Sequence, residues 1–220
     1  MKDGQASLLT SAPITVKATL VAPFIDTAYY LIGNMNGWNT DALIKLNHSG
    51  ADIYDDPVFS TIIEVPADCY WKVIPQINVT EGNVWNNNNV LGCEENGNTD
   101  LTGKLVINPN PEPGAMRIEN AGWVKISLNM MDYTYTVELL GEVSPYLYTP
   151  GNHQGWNPAA SVKLYSTDFM NYSGYLSLDG EFKFTSAPDW EHTNYGDGGE
   201  GTLSTDGGNL SASKGFYYVE

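Results

Sequence analysis

A ten-residue stretch early in the chain, Tyr30 to Asn39 (YLIGNMNGWN), returns as Tyr148 to Asn157 (YTPGNHQGWN). Gly33 and Gly151 lie 118 positions apart, as do Trp38 and Trp156. Self-similarity at one long period constrains the fold strongly, because each copy must be the same structural unit. Each copy reads as a short apolar strand running into a Gly/Asn-rich loop that ends in Gly-Trp. Small residues let such a loop turn sharply and present a large flat side chain.

Other landmarks keep the same order. An aromatic-Lys-apolar strand follows, Trp71-Lys72-Val73 and then Phe182-Lys183-Phe184. An isolated tryptophan in a polar loop comes next, Trp85 and then Trp190, with Gly92 and Gly196 shortly after. Last comes a strand opening with glycine and an aromatic, Gly122-Trp123 and Gly215-Phe216. The spacing between copies falls from 118 at the first tryptophan to 93 at this last strand. The first copy therefore carries extra residues in its loops while the strands survive, as a shared β-scaffold allows.

The repeat divides the 220 residues into a first module over 23–142 and a second over 143–220. Residues 1–22 form a polar tail in which Ile14 to Val21 reads as a strand, the last of a preceding domain. The second module stops before any counterpart of ISLNMMDYTYTVELL and is expected to be truncated at its C-terminus. Its open edge calls for a strand from residues 14–21, from a second molecule, or from further chain. Each module is long enough to bury a core.

Strands are expected at Ala28–Gly33, Val58–Val65, Tyr70–Ile74, Leu105–Ile107 and, as a hairpin, Trp123–Leu128 with Tyr133–Leu140. In the second module they are expected at Tyr146–Thr149, Gly174–Leu178, Glu181–Thr185, Thr202–Leu203 and Phe216–Glu220. No segment has helical periodicity, so the chain reads as all-β. Aromatic residues at 12% and charged residues at only 16%, with abundant Gly, Asn, Ser and Thr, suit short strands joined by many turns. A net charge of −16 argues against nucleic acid or an anionic membrane as partner. No stretch is long or apolar enough to span a bilayer, and no signal peptide is visible. Cys69 and Cys93 leave two readings open, a disulfide or two separate buried thiols.

Strand alternation locates the candidate binding residues. Phe182 and Phe184 point one way and Lys183 the other; Trp71 and Val73 likewise oppose Lys72. The aromatics on the first side belong to the core, as does Trp123 to sheet packing, and the lysines stand outside. Each lysine falls between two loop tryptophans, Trp38 and Trp85 or Trp156 and Trp190. Two flat rings and a cation would suit a sugar polymer, whose C–H faces pack on indoles while amides and ammonium groups bond hydroxyls. Asn39, Asn157 and Asn194 are candidate amides, with Arg117 and Asn209 as weaker candidates. The rival readings are that Trp38 and Trp156 cap a sandwich and that the lysines merely face solvent. An enzyme is the third reading. His48, His153 and His192 do not recur and lack metal spacing, no phosphate loop or nucleophile elbow appears, and Asp55-Asp56 has no counterpart in the second copy. The acid run Asp197 to Glu200 reads as a solvated turn, with Ca²⁺ as the lesser alternative. No cofactor and no catalytic or metal-binding residue is expected.

Taken together, YLIGNMNGWN and YTPGNHQGWN, then FKFTSAPDW with NYGDGGEGTLS, then GFYYV, resemble the tandem starch-binding modules of SusE/SusF-type outer-membrane proteins. The resemblance covers about residues 23–220. It implies two tandem immunoglobulin-like, starch-binding-module β-sandwiches. It also implies a non-catalytic cell-surface lipoprotein, its anchor outside this chain, that binds starch and α-glucan oligosaccharides. The partners implied are an outer-membrane transporter and other surface glycan-binding proteins, within a polysaccharide-utilisation system. The family's pattern of two aromatics beside a Lys or Arg carries onto Trp38, Lys72 and Trp85, and onto Trp156, Lys183 and Trp190. The long Asn-rich loop around Trp85 departs from that pattern. A surface structural or adhesive protein, or a module for another glycan, is the alternative.

Overall fold

The computed structural model describes residues 23–141 and 143–220. The strand expected at Ile14 to Val21, and with it the idea that this segment completes the second module, lies outside the described residues.

In the first copy, eight strands form two antiparallel sheets. They are β1 (Tyr29–Gly33), β2 (Ile44–Lys45), β3 (Val58–Val65), β4 (Cys69–Pro75), β5 (Thr102–Lys104), β6 (Met116–Ile118), β7 (Gly122–Asn129) and β8 (Thr134–Leu139). The orders are β2-β1-β4-β6 and β3-β7-β8-β5. The two sheets enclose one apolar cluster with Leu31, Phe59, Trp71, Val73, Ile126 and Leu128 at its centre. Period-two alternation builds it. In β7, Val124, Ile126 and Leu128 are buried while Trp123, Lys125 and Ser127 are only half covered. The expected hairpin forms with Leu128 opposite Tyr135 and Ile126 opposite Val137. Trp71 is fully buried and meets Tyr135 edge-on at 5.6 Å.

The second copy contains β9 (Tyr146–Tyr148), β10 (Lys163–Tyr165), β11 (Gly174–Phe182), β12 (Phe184–Thr185), β13 (Asn194–Gly199), β14 (Thr202–Ser204) and β15 (Leu210–Val219). The strands order as β10-β9-β12-β13-β14 and β11-β15. Leu164, Leu176, Leu178, Phe182 and Phe184 form its smaller core. Among the described residues, β15 pairs with β11 alone, whereas β7 has β3 on one side and β8 on the other.

Several elements differ from the sequence expectation. A short helix, α1 (Gln76–Thr80), follows β4 directly; five residues are too few to display a helical period. The strand expected at Leu105–Ile107 is not formed; β5 lies three residues earlier, and Val106 makes an isolated bridge with Gly92. The expected strand Gly174–Leu178 runs on to Phe182 as β11, whose register slips at a bulge between Leu178 and Gly180, and the expected Glu181–Thr185 is split between the end of β11 and β12 in the other sheet. β2, β6, β10 and β13 were not legible, being short or glycine-rich, and β15 begins six residues before Phe216. Cys69 and Cys93 are free and buried; burial raises both thiol pKa values.

Candidate functional site

The Gly-Trp loop has the same geometry in both copies. A single turn of 3₁₀ helix (Asn34–Asn36, Asn152–Gln154) is closed by a glycine in the left-handed region, Gly37 at φ 63° and Gly155 at φ 77°. The next residue also has positive φ, Trp38 at 58° and Trp156 at 60°. For so bulky a residue this conformation is a true outlier. It is held in place: the Trp38 N–H donates to Gly33 O at 2.8 Å, and the Trp156 N–H to Gly151 O at 2.9 Å. Gly33 and Gly151 must be small, because a Cβ there would collide with the carbonyl oxygen of Tyr70 or Glu181 on the neighbouring strand.

The loop folds back over the outer face of the sheet. In the first copy that face carries Ile32, Ile74 and Val90, with Trp38, Leu43 and Val84 packed against them. This second apolar cluster explains why β4 is buried on both sides. Trp85 reaches the same place from the far end of β4, through α1 and the Asn-rich loop. The two indoles meet at 6.0 Å between ring centroids, inclined by 32°. In the second copy, Trp156 and Trp190 meet at 6.2 Å and 33°. Trp85 is 39% and Trp190 42% exposed, so each pair presents an open ring surface.

Each tryptophan loop is anchored by an asparagine. Asn78, fully buried, donates to Val84 O at 3.0 Å and Asn86 O at 3.2 Å and accepts from Asn89 Nδ2 at 2.9 Å. It thereby fixes the turn carrying Trp85. Asn194 donates its amide to Trp190 O at 3.2 Å and His192 O at 3.1 Å. The donors of Asn194, assigned from sequence to a ligand, are thus spent on holding the loop. Asn39 and Asn157 likewise turn their side-chain oxygens inward, accepting from Asp41 N and Ala159 N.

Both lysines lie on the outer face. The strand register sets Lys72 opposite Ile32, and the Lys183 N–H donates to Pro150 O at 2.9 Å, the corresponding position. Lys72 is 7% exposed, with its ammonium 3.5 Å from Glu112; a buried cation needs such a partner. Lys183 donates to Gly207 O at 2.8 Å. Arg117 pairs with Asp68 and Glu119 and lies over the Tyr70 ring. Asn209 donates to Glu181 at 3.2 Å. Both are committed to neighbouring acids and not to a tryptophan pair. Sequence reading missed Asn78, because its burial is set by tertiary packing; in sequence it is only one more asparagine ahead of the Asn-rich loop.

No curated protein matches the chain. It is similar to the crystal structure of SusF from Bacteroides thetaiotaomicron, at 21% identity and a TM-score of 0.49, over 89% of this chain and 46% of that one. The chain thus spans just under half the length of that protein. Residues 24–139, more than half of the chain, match the family described as "SusF, first starch specific CBM", and the chain belongs to that family.

Proposed function

We propose that this chain binds starch α-glucan without cleaving it, through two surface sites, one in each of two tandem modules over residues 23–142 and 143–220. Trp38 and Trp85 with Lys72 form the first site; Trp156 and Trp190 with Lys183 form the second. The observation that carries the reading is the recurrence of one tryptophan pair, same separation and same inclination, across loops of different length. Packing alone would not demand that coincidence. The family's starch-specific description supports the ligand class.

Two rings inclined by about 30° form a shallow cradle, suited to the curve of an α-linked glucan and poorly suited to a flat β-linked chain. Burying roughly 50–100 Å² of apolar area on each ring contributes about 1–2.5 kcal/mol. Lys183 and Lys72 supply donors beside the rings, with Lys72 the more restricted of the two. Two weak sites on one chain act together on a polymer through effective concentration. The cell-surface lipoprotein setting, with a transporter and other glycan-binding proteins as neighbours, belongs to the same proposal.

Retention in an amylopectin gel tests it. Trp85→Ala with Trp190→Ala should abolish retardation, and each single change should weaken it about tenfold or more. Unchanged migration of the double variant would sink the assignment. Release of reducing sugar from glucan by pure protein would overturn the non-catalytic reading.

A further inference from the structure

Another cation recurs beside the tryptophan sites. Lys45 and Lys163 are 118 positions apart, as are Tyr30 and Tyr148. The register sets Lys45 opposite Tyr30 and Lys163 opposite Tyr148. Their neighbours Leu31, Leu147 and Leu164 pack into the two cores, so alternation turns these Lys–Tyr pairs to the outer faces. Tyr148 is also the partner of Thr185 in β12, two residues from Lys183. In the first copy the equivalent tyrosine, Tyr30, packs against the same outer-face cluster as Trp38, so by the repeat Tyr148 is the tyrosine on the Trp156 side of its sheet.

In the second copy the pair grows into a patch. Tyr165 stands opposite Tyr146. The Lys163 ammonium lies 4.1 Å from the Tyr146 ring centroid and 5.4 Å from that of Tyr148. Tyr146 is 5.5 Å from Tyr165 and 6.4 Å from Tyr148. Tyr165 is 51% exposed and Lys163 is exposed. The first copy has none of this extension. The positions of Tyr146 and Tyr165 are held there by Ala28 and Asn47. Ala28 is buried, its carbonyl accepts from the first residue of α1, and the Tyr30 hydroxyl is tied to Gln76 at 2.6 Å.

We infer that the second copy carries a continuation of its glycan site, in which Tyr148, Tyr146 and Tyr165 with Lys163 hold the sugars of an α-glucan running on past Trp156 and Trp190. The inference rests on the glycan reading of that tryptophan pair. Tyrosine suits the task because its ring offers a stacking face and its hydroxyl a donor and acceptor at the edge. Lys163 sets a cation at the level of two rings, the combination proposed for Lys183 with Trp156 and Trp190. The first copy, roofed at this place by α1, is left with the short site. The two copies therefore differ in the chain length they hold.

Titration calorimetry with maltotriose and maltoheptaose tests this, on the full chain carrying Trp85→Ala so that the second copy reports. Tyr146→Ala should weaken maltoheptaose binding about five- to tenfold, and the exposed changes Tyr165→Ser and Lys163→Gln about two- to fivefold. Maltotriose binding should stay within about twofold in all three. Equal losses for both sugars, or unchanged maltoheptaose affinity, would overturn the continuation and leave the tryptophan site standing. Binding of neither sugar by the Trp85→Ala parent would overturn the glycan reading of the Trp156–Trp190 pair on which the continuation rests.

Discussion

Trp38 and Trp156 occupy a backbone region that a bulky side chain avoids. Strain of this kind costs about 1–3 kcal/mol and persists only where its surroundings enforce it. The enforcing contacts are the hydrogen bond back to Gly33 or Gly151 and the glycine that precedes each tryptophan. Glycine at position 156 relaxes the backbone, whereas alanine keeps the strain and loses the ring. Trp156→Gly is therefore expected to be more stable than Trp156→Ala by about 1 kcal/mol, the reverse of the order at an ordinary helical position. Urea midpoints of the two variants check it. Both should lose the second site equally, so stability and binding separate at this residue. The amides behave in the opposite way. Asn39 and Asn157 follow the tryptophans directly in sequence and spend their side-chain oxygens on the turn, whereas Asn194 spends its donors on the loop. They sit there because sharp turns need side chains that bond the local backbone.

At the scale of elements, the loops that deliver Trp85 and Trp190 reach one geometry by two routes. The first route uses α1 and a net of asparagines centred on Asn78. The second is shorter and is closed by Asp189, which accepts from Glu191 N and His192 N, and by Asn194. Removing Asn78 leaves two loop carbonyls and an asparagine amide without their buried partner. Asn78→Ala should cost about 1–3 kcal/mol and weaken the first site while leaving the second unchanged. Calorimetry with and without the change reports the first site on Trp190→Ala protein and the second on Trp85→Ala protein; equal loss at both sites would contradict it. The Asn-rich run read from sequence as an irregularity is the structural means of holding Trp85.

Across the whole molecule, the two halves touch through Asn47, which donates to Asp168 at 3.3 Å, and through Trp123, which meets Phe169 edge-on at 4.7 Å. Phe169 also has positive φ, at 60°. Burial tends to raise the Asp168 pKa, but donors from Asn171, Met170 and Ser166 outweigh it and carry the value down to about 2. A carboxylate with a lowered folded-state pKa adds stability that is complete above its unfolded value near 4. That stability is lost as pH falls toward 2. Wild-type protein should therefore exceed Asp168→Asn in urea midpoint at pH 6, and the gap should close near pH 2. A gap that persists at pH 2 would mean that the carboxylate's charge is not what stabilises the turn. A cleft between the halves is lined by Trp123, Phe169, Tyr172 and Tyr195, so this contact governs how the halves meet.

The sequence by itself determined the repeat, the all-β class, the burial of Trp71 and the hairpin of β7 and β8. Each is written locally, in period-two patterning or in residue identity at a fixed spacing. The pairing of Trp38 with Trp85 was not written that way. Their separation and tilt come from a strained loop at one end of the sheet and an asparagine-tied loop at the other, which meet only after the sheet has formed. The exposed patch of Tyr146, Tyr148, Lys163 and Tyr165 likewise depends on register, because β9 and β10 bring together residues far apart in the chain. Tertiary structure decided these because a binding face is a property of neighbouring strands, and a single strand specifies only which of its residues point outward.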